Sequence, residues 1–278
     1  MIRATVVTLL FHILTDSFGQ TTTGVVSDGK TNEPLPYVHI GVAGKNLGVI
    51  SRDDGSYEID VSKADSADKL VFSIIGYETR SYQISDLKTG RMDVRLTQKV
   101  YRLKEVVVHP TEKPTIKLGR YEPTKTTTGQ SGKKEFGDGG EWGLRIFNEG
   151  KRYFITDARF HMRFNTVDSI LFRVNLYNVV GDMPGESILQ RELFMTSRKN
   201  KKWIICDLVK ENITMNEDLI ASVEVVRVWF SKRGENRMFF TNGKGYEKGL
   251  NYYRASSHDT WTVDGKLPVT LFLTAEEY

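Results

Sequence analysis

Short stretches in which apolar and polar residues alternate recur along the chain, and this period of two predicts β-strands. Residues 57–61 alternate apolar with acidic side chains, and Asp53, Asp54 and Gly55 before them form a strong hairpin signal. Comparable stretches, separated by turn-forming residues, continue from residue 23 to residue 96. They amount to about seven strands, the number found in a Greek-key β-sandwich.

The pattern returns in the second half of the chain. Residues 158–164 and 170–177 alternate apolar with basic or polar side chains, and further strand-like stretches follow as far as residue 273. No helical period of apolar residues interrupts them, which favours a second β-sandwich or jelly roll. The predicted fold class is therefore all-β, with two sandwiches joined by an extended linker.

The segment between the two predicted sandwiches is polar and basic. It contains several prolines and glycines and the threonine run at residues 126–128, and this composition predicts an extended linker over residues 99–140. Residues 101–134 hold eight Lys or Arg against three Glu, so the positive charge of the chain is concentrated here. Contact with an acidic envelope partner is one interpretation, and a solvated linker without a specific partner is the other.

The N-terminal residues have the features of a secretory signal. Arg3 precedes a short apolar run, and Ser17 and Gly19 supply the small residues expected before a cleavage site at Gln20. The run is shorter than the ~20 residues that a membrane-spanning helix needs. No later stretch is long and apolar enough for such a helix, so we expect export to the periplasm or cell surface without a transmembrane span.

Composition and motifs limit the chemistry. The formal net charge of +4 arises from 39 basic and 35 acidic residues, which is too balanced to indicate nucleic-acid binding. A single cysteine, Cys206, excludes an internal disulfide and is expected to be a buried, inert thiol. No nucleophile, dinucleotide or metal motif is present, so we expect no enzyme activity, cofactor or metal. The scattered histidines are expected to be structural or exposed: His39, His109, His161 and His258.

Several motifs in the first predicted sandwich occur in a familiar order. Residues 24–28, 33–38, 48–51, 54–57 and 70–78 together resemble the carboxypeptidase-regulatory-like domain family. The resemblance implies a transthyretin-like (prealbumin-like) sandwich of seven strands over residues 21–98. It also implies a non-catalytic docking module of the Bacteroidota-type envelope, where such domains often precede TonB-dependent transporters.

The second half is only loosely similar to the jelly-roll adhesin and carbohydrate-binding modules of secreted bacterial proteins. Aromatic rings stack on sugars and anchor protein partners. A polar stretch near the C-terminus combines rings with hydrogen-bonding groups, and we name it as the candidate ligand surface: Trp261, Tyr252, Tyr253, His258 and Asp259. The alternative is that these rings pack against the core and close one end of the sandwich.

The predicted organisation is a signal peptide (1–19), a carboxypeptidase-regulatory-like sandwich (20–98), a basic linker (99–140) and a second sandwich (141–278). The leading functional hypothesis is an exported, non-catalytic binding module for an envelope protein or polysaccharide. One alternative is a glycoside hydrolase-like enzyme that uses two loop carboxylates, with Asp259 and Glu247 as the pair. The other is a purely structural spacer.

Overall fold

A computed structural model describes most of the chain, namely residues 21–87, 90–100, 114–132, 139–198, 202–230, 236–246, 248–263 and 268–277. The predicted signal peptide, residues 101–113 of the predicted linker, and Glu247 lie outside these residues. Strands dominate the described residues, and they form two sandwiches in succession. The all-β prediction is therefore confirmed.

The first sandwich contains eight short strands and one 3-10 turn, at Ile84–Asp86. The strands are β1 (Thr21–Asp28), β2 (His39–Val42), β3 (Gly48–Ile50), β4 (Ser56–Asp60), β5 (Lys69–Ser73), β6 (Arg80–Gln83), β7 (Gly90–Arg91) and β8 (Val94–Leu96).

Two four-stranded sheets enclose the first core. One has the order β4-β1-β7, with β8 also on β1, and the other has the order β3-β2-β5-β6. Since β7 and β8 both pair with β1 in parallel, they act as one interrupted strand, and the sandwich has seven strand positions. Alternate residues face the core, as the period of two requires: Val26, Ile59 and Phe72 are buried.

The second sandwich contains fourteen strands and a 3-10 turn at Val209–Glu211. They are β9 (Thr115–Gly119), β10 (Glu122–Gly132), β11 (Glu141–Ile146), β12 (Tyr153–Asn165), β13 (Ser169–Val180), β14 (Met183–Ser187), β15 (Leu193–Arg198), β16 (Trp203–Asp207), β17 (Thr214–Met215), β18 (Leu219–Trp229), β19 (Asn236–Lys244), β20 (Asn251–Arg254), β21 (Thr262–Val263) and β22 (Leu271–Glu277).

These strands form two sheets of seven. One has the order β10-β19-β12-β22-β9, with β16 and β17 beside β12, and the other has the order β14-β13-β18-β11-β20-β21, with β15 beside β13. The core between them is rich in aromatic rings. Phe160, Phe172 and Phe240 are fully buried, and their ring centroids lie 5.1–6.0 Å apart. Trp142 packs on Phe240 at 5.0 Å.

The predicted linker over residues 99–140 needs correction. Residues 115–119 form β9 and pair with β22, while residues 122–132 form β10 and pair with β19. Both strands belong to the second sandwich, each at an edge of its sheet. The polar composition is misleading because threonine is β-branched and suits an edge strand whose side chains face water.

A loop of the second sandwich is seated against the first sandwich. The backbone N–H of Gly44 donates to the carbonyl of His258 at 2.9 Å, and the Thr260 hydroxyl donates to the carbonyl of Gly44 at 3.2 Å. A Cβ added to Gly41 or Gly48 would overlap the carbonyl oxygen of Ser257. Glycine is therefore required at both positions for the two backbones to approach this closely.

Candidate functional site

The two predicted tyrosines serve mainly as packing residues. Both lie on β20 rather than in a loop. Tyr252 is buried, and its hydroxyl donates to the carbonyl of Asp182 at 2.7 Å. Tyr253 is half-buried, with its ring centroid 5.4 Å from that of Trp142. The structure thus places these rings in and beside the core.

Trp261 lies half-buried next to a partly buried arginine. The guanidinium carbon of Arg254 is 4.7 Å from the Trp261 ring centroid, a distance suited to a cation–π interaction. The ring of Tyr177 meets Trp261 edge-on at 5.9 Å. Trp261 therefore restrains the side chains of Arg254 and Tyr177.

The other two predicted residues share the loop that docks on the first sandwich. His258 has a positive φ of 64°, and its ring Nε2 lies 3.3 Å from the hydroxyl of Ser73 in the first sandwich. The carboxylate of Asp259 accepts from the backbone N–H groups of Ala255 and Thr260, at 3.4 and 2.8 Å. Asp259 thus shapes the loop, and its hypothetical partner carboxylate, Glu247, lies outside the described residues.

His258 also lines a cleft that opens between the two sandwiches. The cleft has a volume of about 330 Å³, and of the five predicted residues it contains His258 alone. Its walls come from both domains. The first sandwich contributes Ser73, Tyr77, Thr79 and Lys99, and the second contributes Asn175, Tyr177, Glu186, Ser187 and Arg254. We call this site the interdomain cleft.

Beneath the interdomain cleft lies a buried ion cluster centred on Arg173. This side chain is fully buried, and its guanidinium contacts Glu224 at 3.0 Å and Glu192 at 2.5 Å. It also donates to the carbonyl of Tyr37 in the first sandwich at 2.5 Å. Glu192 in turn accepts from the backbone N–H of Ile75 at 2.9 Å. One arginine therefore ties two strands of the second sandwich to the first.

His39 completes this cluster from the first sandwich. Its Nε2 lies 2.7 and 2.9 Å from the two carboxylate oxygens of Glu224 and also contacts Arg173. Burial raises the pKa of Glu224, but the charges of His39 and Arg173 outweigh burial and hold that pKa well below its ordinary value. Glu224 is thus a carboxylate, and it binds groups from both domains.

A second buried cluster surrounds Glu141. The side chains of Asn175, Tyr177 and Ser222 donate to its Oε1, and Arg254 contacts its Oε2 at 2.5 Å. Burial and then the charge of Glu141 raise the pKa of Tyr177 well above its ordinary value, so the phenol keeps its proton. Asn175, Tyr177 and Arg254 also line the interdomain cleft, and Glu141 fixes all three.

The His258 imidazole is neutral at physiological pH. Burial, followed by the nearby charges of His39 and Arg254, lowers its pKa from 6.5 to about 3. The cleft wall at this point therefore offers a neutral ring.

Apart from His258, the residues that organise the site were not predicted from the sequence. His39 was treated only as structural or exposed, and the pairing of Arg173 with Glu224 was not predicted. The sequence does contain a signal for this pair. Arg173 interrupts the mostly apolar strand β13, and Glu224 interrupts the mostly apolar strand β18. A charge in such a strand requires a buried partner.

In the part of the chain that the structure describes, no helix combines the length and the apolar character needed to cross a bilayer. Among the same residues, no group of three or more His, Cys, Asp or Glu is arranged to hold a metal ion.

The first sandwich matches a known family. Residues 22–108 match the family model described as CarboxypepD_reg-like domain. This match confirms the resemblance inferred from the ordered motifs of the N-terminal segment, and it concerns that segment alone. No curated protein matches the sequence.

Similar solved structures are distant. The cysteine protease and lectin-like domains of Cwp84, a surface layer associated protein of Clostridium difficile, have 8% identity and a TM-score of 0.40, covering 87% of this chain and 58% of that chain. A DUF3823 family protein from Parabacteroides merdae has 10% identity and a TM-score of 0.20, covering 79% and 94%. The chain thus spans less than two thirds of the Cwp84 structure. Likenesses this weak carry no function from one protein to another.

Proposed function

We propose that this protein is an exported, non-catalytic binding module whose ligand, a glycan or a segment of an envelope protein, enters the interdomain cleft. The observation that carries the proposal is the composition of the cleft, whose walls come from both sandwiches. Ligand sites form preferentially at domain interfaces, with volumes of about 300–1,000 Å³. A cleft of about 330 Å³ falls within that range.

The rigid coupling of the two sandwiches supports this proposal. Arg173 bonds Tyr37, and Glu224 bonds His39, so charge-assisted contacts cross the boundary at more than one point. The docked loop adds backbone contacts through Gly44. A cleft with walls fixed in this way is preorganised, and preorganisation lowers the entropic cost of binding.

The state of the acidic groups favours binding over catalysis. Glu141 and Glu224 lie under the cleft, but both are fully buried and held by arginines. A general acid or base must reach the atom it protonates or deprotonates. Of the cleft-lining residues that the structure describes, Glu186 supplies the exposed carboxylate. Glycoside hydrolysis, by contrast, generally requires a pair of carboxyl groups.

Export is part of the proposal and has its own test. It rests on the signal-like N-terminal residues. A chain without residues 1–19 should remain in the cytoplasm, whereas the full chain should appear in the envelope fraction. Export of the shortened chain would refute the assignment of the signal.

Binding in the cleft is tested by filling it. Thr79 is exposed and lines the cleft, so Thr79→Trp should obstruct it without disturbing the buried clusters. Thr115, exposed on the edge strand β9, provides the matched control Thr115→Trp. The wild-type chain and both variants are tested against saccharides and peptides released from bacterial envelope. A ligand that binds the wild type and the control but not Thr79→Trp supports the proposal. Equal binding by all three, or turnover of the ligand, contradicts it.

A further inference from the structure

We propose that the ligand of the interdomain cleft is a neutral saccharide, an inference that rests on the proposed binding function and specifies its ligand class. Three features of the cleft support it: the balance of charge at its walls, the hydroxyl and amide groups that line it, and the tyrosine ring that each sandwich contributes.

The charges at the cleft are already compensated. Arg254 is partly buried and is paired with the fully buried Glu141. His39 contacts both Glu224 and Arg173, so its position is fixed within the ion cluster. A charged ligand would have to compete with these buried partners, and disrupting a buried pair is costly.

Among the residues that the structure describes, the exposed charged side chains lining the cleft are one of each sign. Lys99 belongs to the first sandwich and Glu186 to the second, and both are exposed. Selection of an acidic or a basic ligand by electrostatics requires an excess of one sign of charge. One exposed cation and one exposed anion among these described residues favour neither an acidic nor a basic ligand.

Hydroxyl and amide groups are abundant on the walls. Ser73 and Thr79 come from the first sandwich, and Asn175 and Ser187 come from the second. The amide nitrogen of Asn175 donates to Glu141, and this bond orients the side chain in the cleft wall. A hydroxyl both donates and accepts, so such walls match a ligand that is itself rich in hydroxyl groups.

Each sandwich also contributes a tyrosine ring to the cleft. Tyr77 is half-buried, and its hydroxyl donates to Asp28 at 2.8 Å. Tyr177 donates to Glu141 at 3.0 Å and meets Trp261 edge-on. Because both phenol groups are anchored, the rings are held in place and present apolar surface. Mixed apolar rings and hydroxyls suit a sugar, which has both C–H faces and hydroxyl edges.

The test uses defined probes and calorimetry on the full chain. The neutral probes are cellobiose, maltose, mannobiose and chitobiose, and the charged probes are digalacturonic acid and an acidic peptide. We expect at least one neutral saccharide to bind, with an affinity that changes little between low and high salt, because charge screening affects only charged ligands.

Variants separate ring stacking from a general effect on folding. Tyr77→Phe keeps the stacking ring but loses the hydrogen bond to Asp28, so it should retain most of the binding of the neutral saccharide. Tyr77→Leu, which loses the ring, should weaken binding about tenfold or more. Thr79→Trp should abolish binding, and Thr115→Trp should leave it unchanged. Thermal denaturation of each variant shows whether a loss of binding reflects unfolding. If Tyr77→Leu does not fold, Thr79→Trp still tests whether the saccharide binds in the interdomain cleft.

The outcomes distinguish the saccharide inference from the proposed function. Salt-insensitive binding of a neutral saccharide that Thr79→Trp abolishes supports both. Binding in the cleft of digalacturonic acid or the acidic peptide alone overturns the saccharide inference and leaves the binding module standing. If Thr79→Trp alters the binding of none of the probes or envelope fragments, both are overturned.

Discussion

The guanidinium of Arg173 donates to the carbonyl oxygen of Tyr37 at 2.5 Å, and this hydrogen bond joins the two sandwiches through a fully buried charge. Tyr37 has a positive φ of 61°. Non-glycine residues adopt such a conformation rarely, and it persists only where surrounding contacts hold it. The contact with Arg173 is one such restraint, so the geometry of the domain boundary depends on this arginine.

Loss of Arg173 should strongly destabilise the protein. Arg173→Met removes the guanidinium that contacts the fully buried Glu224 and the partly buried Glu192. Breaking a buried ion pair by removing one partner costs about 3–5 kcal/mol. Unfolding in guanidinium chloride measures this loss as a lower midpoint. The control is Arg227→Met, which removes a partly exposed pair with Asp53 and should cost less than about 1 kcal/mol. Equal losses in the two variants would contradict the role given to Arg173.

Gly48 should be essential for docking of the two domains. Because a Cβ here would overlap the carbonyl oxygen of Ser257, Gly48→Ala should force the docked loop away at a cost of about 1–3 kcal/mol. Limited proteolysis should then cut the chain faster between the sandwiches.

Gly150→Ala is the control for Gly48→Ala. Gly150 has a φ of 75° and no atom within 4 Å of an added Cβ. Alanine costs about 1–2 kcal/mol at such a φ, but it should leave the proteolytic pattern unchanged. If Gly150→Ala exposed the same cleavage sites, crowding at Gly48 would not be the cause.

Stability should fall as the pH drops below about 6.5, the ordinary pKa of histidine. The folded-state pKa of His258 is lowered to about 3, so between these values the unfolded chain binds a proton that the folded chain excludes. One such group contributes a slope of at most about 1.4 kcal/mol per pH unit. Burial lowers the pKa of His161 as well, and this histidine acts in the same direction.

Two variants assign the pH dependence to particular histidines. His258→Gln and His161→Gln should each flatten the curve of unfolding free energy between pH 6.5 and pH 5. Glu224, whose pKa is also lowered, should add a further loss only below its ordinary pKa, near 4.5. A His258→Gln curve identical to that of the wild type would show that the imidazole is not kept neutral by the fold.

Cys206 should be unreactive in the folded protein. Burial, followed by the charges of Glu211 and Asp207, raises its thiol pKa to about 11. The thiolate is the reactive form, and at pH 8 it would be a very small fraction. Iodoacetamide should therefore label the chain slowly at pH 8 and rapidly in denaturant. Rapid labelling of the folded protein would indicate that the thiol is accessible.

The alternation of residues was sufficient to predict most of the strands, because each strand buries one face. In β4, for example, Tyr57 and Ile59 are buried while Glu58 between them is exposed. The pattern failed at β10, where exposed threonines at an edge resemble a polar linker in composition. Edge position is a property of the assembled sheet, and a local pattern does not encode it.

The candidate site was predicted only in part. His258 was named from its polar, aromatic surroundings, and the structure places it in the cleft. Its neighbours escaped prediction because the contacts join distant parts of the chain, such as His39 with Glu224. Periodicity identifies which residues are buried, but it does not identify which buried charge meets which.

The most direct test of the central claim is hydrogen exchange measured by mass spectrometry, with and without the saccharide that binds most tightly. A ligand in the interdomain cleft contacts both domains, so exchange should slow in residues 73–79 of the first sandwich and residues 185–189 of the second. The same experiment on Thr79→Trp should show no change. Protection confined to one sandwich, or lying outside both segments, would contradict a binding site shared by the two domains.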